Sequence, residues 1–93
     1  MPQNIKPFFV DEYLETEEDI VAFLQEVADT GDASDFIHAL GTVARARGMT
    51  EIAREAGVTR ASLYKSLSED GNPRFETISK IVNAMGLKLT VSA

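Results

Sequence analysis

Residues 49–67 read MTEIAREAGVTRASLYKSL. Thr50 caps a first short helix, TEIAREA, which Gly57 stops, and Thr59 caps a second, RASLYKSL. Two helices that cross steeply over a turn of three or four residues need a small residue where they touch and a glycine where the chain reverses. Ala53 and Gly57 stand at those places, and Ile52, Val58 and Leu63 fall where apolar contacts lock the pair. The spacing predicts a helix-turn-helix, one way for a protein to enter the DNA major groove. An ordinary pair of core helices has the same spacing, so the outward chemistry decides between the two.

With Leu63 and Leu67 inward, Thr59, Arg60, Ala61, Ser62 and Lys65 take the outward positions at the start of the second helix. A helix laid N-terminus first into the groove meets base edges with such positions. Arg60 suits a bidentate pair with guanine O6 and N7, and Lys65 a guanine or a phosphate. Ala61 is short enough for close approach or for contact with a thymine methyl. Thr59, Ser62 and the helix N-terminal amide suit phosphates. Thr50 and Arg54 flank the first helix as backbone clamps. Tyr64 is read as a packing residue, with a phosphate contact through its hydroxyl as the alternative. Arg45, Arg47 and Arg74 supply outer phosphate contacts or stand as solvated charges.

A formal charge of −6 sits awkwardly with a polyanionic partner. The charge is divided, however. Residues 1–44 hold Lys6 alone against ten acids, a local sum of −9, whereas residues 45–93 hold eight basic residues against five acids, a sum of +3. Salt screens exposed charges beyond roughly 8–10 Å, so a basic face can act on a chain that is acidic overall.

The rest of the chain reads as helices around that pair. Residues 1–9, with Pro2 and Pro7, read as loose, and Asp11 caps a short turn through Leu14. Thr16 and Asp19 form a capping-box-like pair opening a helix with the stripe Ile20, Phe23, Leu24, Val27 and Ala28. Gly31 is expected to end it in the left-handed conformation. Asp32 or Ser34 caps the next helix, whose stripe is Phe36, Ile37, Leu40, Val43 and Ala44. Gly41 weakens that helix by about 1 kcal/mol relative to alanine and allows a close helix contact. Arg45 and Arg47 favour its C-terminal end, and Gly48 breaks it. A loop runs from Ser68 to Phe75, and residues 76–86 form a helix with Ile78, Ile81, Val82 and Met85 inward. Leu87, Leu89 and Val91 then alternate with polar residues as a strand does. A lone strand leaves its backbone groups unpaired, so it pairs with residues 5–10 or with its copy in a second chain.

Ninety-three residues make one small domain, which buries roughly 60–65% of its unfolded surface, so dimerisation is a reasonable expectation. The absence of cysteine removes disulfides, thiol nucleophiles and thiolate metal sites. No apolar run spans a membrane and no signal peptide opens the chain, which leads to the expectation of a cytoplasmic protein, nucleoid-associated when bound to an operator. Catalysis finds no support. His38, the only histidine, reads as a partly exposed helix residue, and no phosphate-binding glycine loop, metal-ligand spacing or isolated carboxylate pair occurs. The turn SEDGNP lacks the spaced ligands of a calcium loop. The expectation is therefore no enzyme, no metal and no cofactor.

The run TEIAREAGVTRASLYKSLSEDGNPRFETISKIVNAMGLKLTV resembles the Cro/phage-repressor type of helix-turn-helix family, often called Xre. More narrowly, ARARGMTEIA, LYKSLSEDGNP and ETISKIVNAMGLKL, together with the opening FFVDEYLETEEDIVAFLQEVADTGDASDFIHAL, look like addiction-module antidotes of the HigA-like kind. The resemblance covers nearly the whole chain. It departs from the general pattern at Ser66 and Leu67, where a large apolar residue and a glutamate are common, and this puts Arg60 ahead of Lys65 as a base reader.

The resemblance implies an all-α fold in the main: a five-helix bundle with a lambda-repressor-like helix-turn-helix and a short C-terminal β-strand paired in a homodimer. Residues 1–31 are then an acidic N-terminal helical segment of the same fold, and residues 32–93 the DNA-binding domain with its strand. It also implies a bacterial or phage-derived chain encoded beside a basic toxin similar to RelE/HigB-type messenger RNA endoribonucleases. Such a chain neutralises the toxin and, as a dimer on double-stranded DNA, represses the shared promoter. Half-sites would lie about 34 Å apart or a multiple of it. The acidic half gains a role, because an acidic surface complements a basic ribonuclease and speeds encounter. Its candidate contacts are Phe9, Asp11, Glu12, Tyr13, Glu17 and Glu18, joined by Phe8, Leu14, Glu15 and Asp19; solubility and helix capping are the plainer account of the acids, and packing on the domain's own core that of Phe8 and Phe9. A stand-alone phage-type repressor and a toxin-binding protein whose helix-turn-helix is only a scaffold are the competing readings.

Overall fold

Helix α1 (Glu17–Thr30) starts at Thr16, whose Oγ1 accepts the Asp19 amide at 3.0 Å. Glu17, Glu18 and Asp19 fill its first turn, where carboxylates suit the positive end of the helix dipole. Ile20 and Leu24 are buried, Phe23 and Val27 pack at the edge of the core, and Ala28, expected inside, is exposed. The computed structural model describes residues 16–68 and 72–91, and they contain five helices and no strand. The expected turn at Asp11–Leu14, and residues 5–10 as a strand partner, lie outside the described residues.

Helix α2 (Ala33–Arg47) is capped by Asp32 rather than Ser34. The Asp35 amide donates to Asp32 Oδ1 at 2.9 Å and the Asp32 amide donates to Asp35 Oδ2 at 3.1 Å, a reciprocal box. That box corrects the expectation for Gly31. Its backbone is extended (φ −109°, ψ −179°), not left-handed, because the chain passes straight into the next cap. Space is what selects glycine there: a Cβ would stand 2.8 Å from the Asp35 Cβ and 3.0 Å from the Val27 carbonyl oxygen. Gly41 is likewise a close approach. It is buried, and a Cβ on it would stand 3.3 Å from the Leu67 carbonyl oxygen.

Helix α3 (Met49–Ala56) begins with Gly48 as its N-cap and no side-chain capping bond. Thr50, expected as that cap, lies instead inside the first turn and is exposed. The reason is the sharp reversal at Gly48, with φ 114°, which lets the helix start at once and buries Met49. At the other end the Val58 amide reaches the Ala53 carbonyl at 3.0 Å and the Gly57 amide reaches that of Arg54 at 3.2 Å. This is the paired closure that needs a left-handed residue, and Gly57 supplies it at φ 76°, ψ 30°.

Helix α4 (Arg60–Ser66) follows after Thr59, whose Oγ1 accepts the Ser62 amide at 3.0 Å. Helix α5 (Phe75–Ala84) starts one residue before the expected 76 and ends before the expected 86. The Leu87 amide bonds to the Val82 carbonyl at 3.1 Å and the Gly86 amide to that of Asn83 at 2.9 Å, which turns the chain out of the helix. Arg47 Nη2 donates to the Met85 carbonyl at 3.0 Å and so closes the same end. Residues 87–91 form no strand. Leu87 packs against the core, Leu89 is partly exposed and Val91 fully so.

Helix α1 packs on α2, while α3 meets α2, α4 and α5. Ile20, Leu40, Val43, Leu63, Ile81 and Met85 are the large side chains fully enclosed between them, and no polar or charged residue is buried among the described residues. Leu40→Ala is expected to lower stability by about 2–5 kcal/mol in urea unfolding, since it empties a closed site. Gly57→Ala is expected to lower it by about 1–2 kcal/mol through backbone strain, and Gly57→Asn by less, because asparagine visits the left-handed region more readily. Equal losses for the two would show that the turn does not depend on that conformation.

Candidate nucleic-acid interface

Thr59, Arg60, Ala61, Ser62 and Lys65 reach the surface because Leu63 and Leu67 do not. Leu63 is wholly enclosed and Leu67 is buried at the helix end, which fixes the rotation of α4. The unusual pair Ser66 and Leu67 therefore leaves the register intact, with Ser66 half-buried and Leu67 inward. Ser68 closes this end, its hydroxyl donating to the Lys65 carbonyl at 2.9 Å.

All eight residues expected at a DNA face (Thr50, Arg54, Thr59, Arg60, Ala61, Ser62, Lys65 and Arg74) are exposed. Seven belong to the α3–turn–α4 unit, and Arg74 is the N-cap of α5. The Thr59 hydroxyl oxygen is engaged in capping, which leaves its own O–H as donor. Arg54 pairs with Glu51 one turn earlier on α3. The two side chains are 70% and 58% exposed, so the pair contributes at most about 1 kcal/mol and yields readily to a phosphate.

The outer arginines divide. Arg47 donates one of its five N–H groups to the Met85 carbonyl and so helps hold the end of α5, while it stays exposed. Arg45 lies back along α2, with its guanidinium 3.3 Å from where a Gly41 Cβ would stand. Tyr64 corrects the expectation of packing. It is 43% exposed, its hydroxyl accepts a bond from Arg60 Nη2 at 3.3 Å, and the Arg60 guanidinium carbon lies 5.4 Å from its ring centroid. The i, i+4 spacing of Arg60 and Tyr64 on a helix was the signal in the sequence for this pairing.

Of the residues expected at a second, basic partner, Phe9, Asp11, Glu12 and Tyr13 lie outside the described residues, as do Phe8, Leu14 and Glu15. Glu17 and Glu18 are exposed and, with Val21, Ala22 and Gln25, line a shallow hollow on α1. Asp19 is exposed in the same turn. His38 is exposed on α2, and no three of His, Cys, Asp and Glu gather as metal ligands among the described residues. No helix among them is long and apolar enough to cross a membrane.

A protein-family model described as "Probable addiction module antidote protein" matches residues 4–93. An uncharacterized protein of Haemophilus influenzae is 43% identical over 91 residues, covering 98% of this chain and 94% of that protein. No solved structure matches the chain. The chain thus belongs to the family of addiction module antidote proteins.

Proposed function

We propose that this chain is a DNA-binding antitoxin. On this reading it neutralises a basic ribonuclease toxin similar to RelE/HigB enzymes and, as a homodimer, represses the promoter it shares with that toxin. The family supplies the toxin partner, because an antidote acts on something. The observation that carries the DNA half is the α3–turn–α4 unit, whose seven-residue second helix is held by Leu63 and Leu67 with Arg60, Ala61 and Ser62 outward in its first turn and Lys65 outward in its last. Those are the positions from which a groove-bound helix reads base edges. Arg54 and Arg74 supply phosphate contacts beside it. The exposure of Leu89 and Val91 supports dimerisation, since a second copy would cover them.

The acids of α1 support the toxin half. Glu17, Glu18 and Asp19 are exposed together in one turn, so they present charge to an approaching cationic surface without a burial cost. The exposure of the α4 residues favours DNA binding over a helix pair that acts only as scaffold.

Promoter DNA and the neighbouring reading frame test both halves. In gel shifts at fixed salt, Arg60→Ala is expected to weaken binding by about 1–3 kcal/mol and relax preference at one base. Arg54→Ala is expected to weaken binding evenly across sequences and reduce the salt slope by about 1. Unchanged affinity and preference for Arg60→Ala would remove it from the reading face. For the toxin, the double substitution Glu17→Lys, Glu18→Lys is expected to slow association several-fold at low salt while leaving promoter binding in place. An unaltered association rate in stopped-flow mixing would move the contact away from α1.

A further inference from the structure

Arg60 carries the sharpest chemistry on α4, and it is not loose. Its Nη2 donates to the Tyr64 hydroxyl at 3.3 Å, and its guanidinium carbon lies 5.4 Å from the centroid of the same ring. Tyr64 does not owe its place to the core, being 43% exposed. One side chain thus makes both a hydrogen bond and a cation–π contact with the residue one turn before it. The ring is stiff, with two side-chain torsions, and it stands on a helix whose rotation is fixed by Leu63 and Leu67.

A free arginine loses much rotamer freedom when it docks on a base edge, and that loss subtracts from affinity. A guanidinium already held on one side loses less. The hold leaves the reading function intact, because guanidinium has five N–H donors and a guanine O6/N7 pair needs two. We propose that Tyr64 is a positioning residue that pre-orders Arg60, so that the pair rather than Arg60 alone determines base preference. This rests on the DNA-binding reading above. A Tyr64 hydroxyl that contacted a phosphate on its own account is the competing arrangement, and a double-substitution cycle separates the two.

The experiment uses the full chain and a labelled duplex of the DNA immediately upstream of its reading frame, with single-base variants across the footprinted site. Tyr64→Phe keeps the ring face and loses the acceptor, and affinity is expected to fall about threefold to fivefold. Tyr64→Leu loses both contacts, with an expected fall of roughly tenfold. Both are expected to lower preference at the same single position that Arg60→Ala affects, and to become silent in the Arg60→Ala background. The thermal midpoint is expected to stay put, and Tyr64→Phe keeps the test open if the leucine variant folds poorly. Losses that persist in the Arg60→Ala background, or that are uniform over all sequences, would overturn the proposal. An Arg60→Ala variant as tight and as selective as the parent would also overturn it while leaving DNA binding in place. Failure of the parent chain to bind any of the duplexes would instead overturn the DNA-binding reading, and the positioning role with it.

Discussion

Burial of the inner face of α3 is the contact on which the other helices depend. Eight residues are too few for a helix to persist alone in water, and α4, with seven, is shorter still. Each exists because the other is there. Met49, Ile52, Ala53 and Ala56 form the buried face of α3, and α2, α4 and α5 all pack on this helix. Two of those four residues are alanine, which keeps α3 thin and lets its neighbours close around it. Gly41 does the same for α2 where the end of α4 comes near. The outward residues of α4 therefore owe their placement to small residues on α2 and α3. A core substitution that loosens α3 would blur the whole outward face at once.

The acids do not form one class. Asp32 and Asp35 are held in each other's cap and hold the start of α2. Glu51 lies against Arg54. Glu17, Glu18 and Asp19 gain something from the N-terminal end of α1, yet their carboxylates remain exposed to any visitor. A count of charges weighs all of these alike, whereas the structure separates those spent on folding from those left at the surface. The arginines differ likewise in what they bond, with Arg47 donating to the Met85 carbonyl at the end of α5 and Arg60 to the Tyr64 hydroxyl on its own helix.

Helix existence and the inward faces were legible because apolar spacing at 3.6 residues leaves little choice. Leu40, Val43, Leu63, Ile78 and Ile81 all lie where that spacing puts them. Caps were legible where an oxygen side chain does the work, as at Thr16 and Thr59, and at the start of α2 the structure chose Asp32 over Ser34. Thr50 misled because a threonine near a helix start looks like a cap whichever residue turns the chain, and here the backbone of Gly48 does so. Gly31 misled for a related reason: a glycine after a helix fits either a left-handed conformation or a crowded extended one, and only the position of Asp35 distinguishes them. The expectation for Tyr64 failed because an aromatic on a short helix has two plausible partners, the core and a cation one turn away. The segment at residues 87–91 shows the limit of periodicity, which marks a willingness to pair but not a partner.

Distance within the fold decides how far the two charge classes interfere. A Cβ on Gly86 would stand 3.9 Å from Glu17 Oε2, so the acidic start of α1 lies beside the C-terminal end of α5. Arg74 caps the opposite end of that helix. Ten residues at 1.5 Å rise each set these ends roughly 15 Å apart. The field of an exposed charge decays over about 8 Å at physiological salt, so between these ends the field of one is largely lost to the other. The α1 acids are therefore free to act on what approaches α1 without cancelling the attraction of Arg74 for a phosphate. At 0.01 M salt the screening length grows to about 30 Å, and the same acids then act on any anion near the far side of the molecule. Net charge describes this chain in dilute buffer, and local charge describes it at physiological ionic strength.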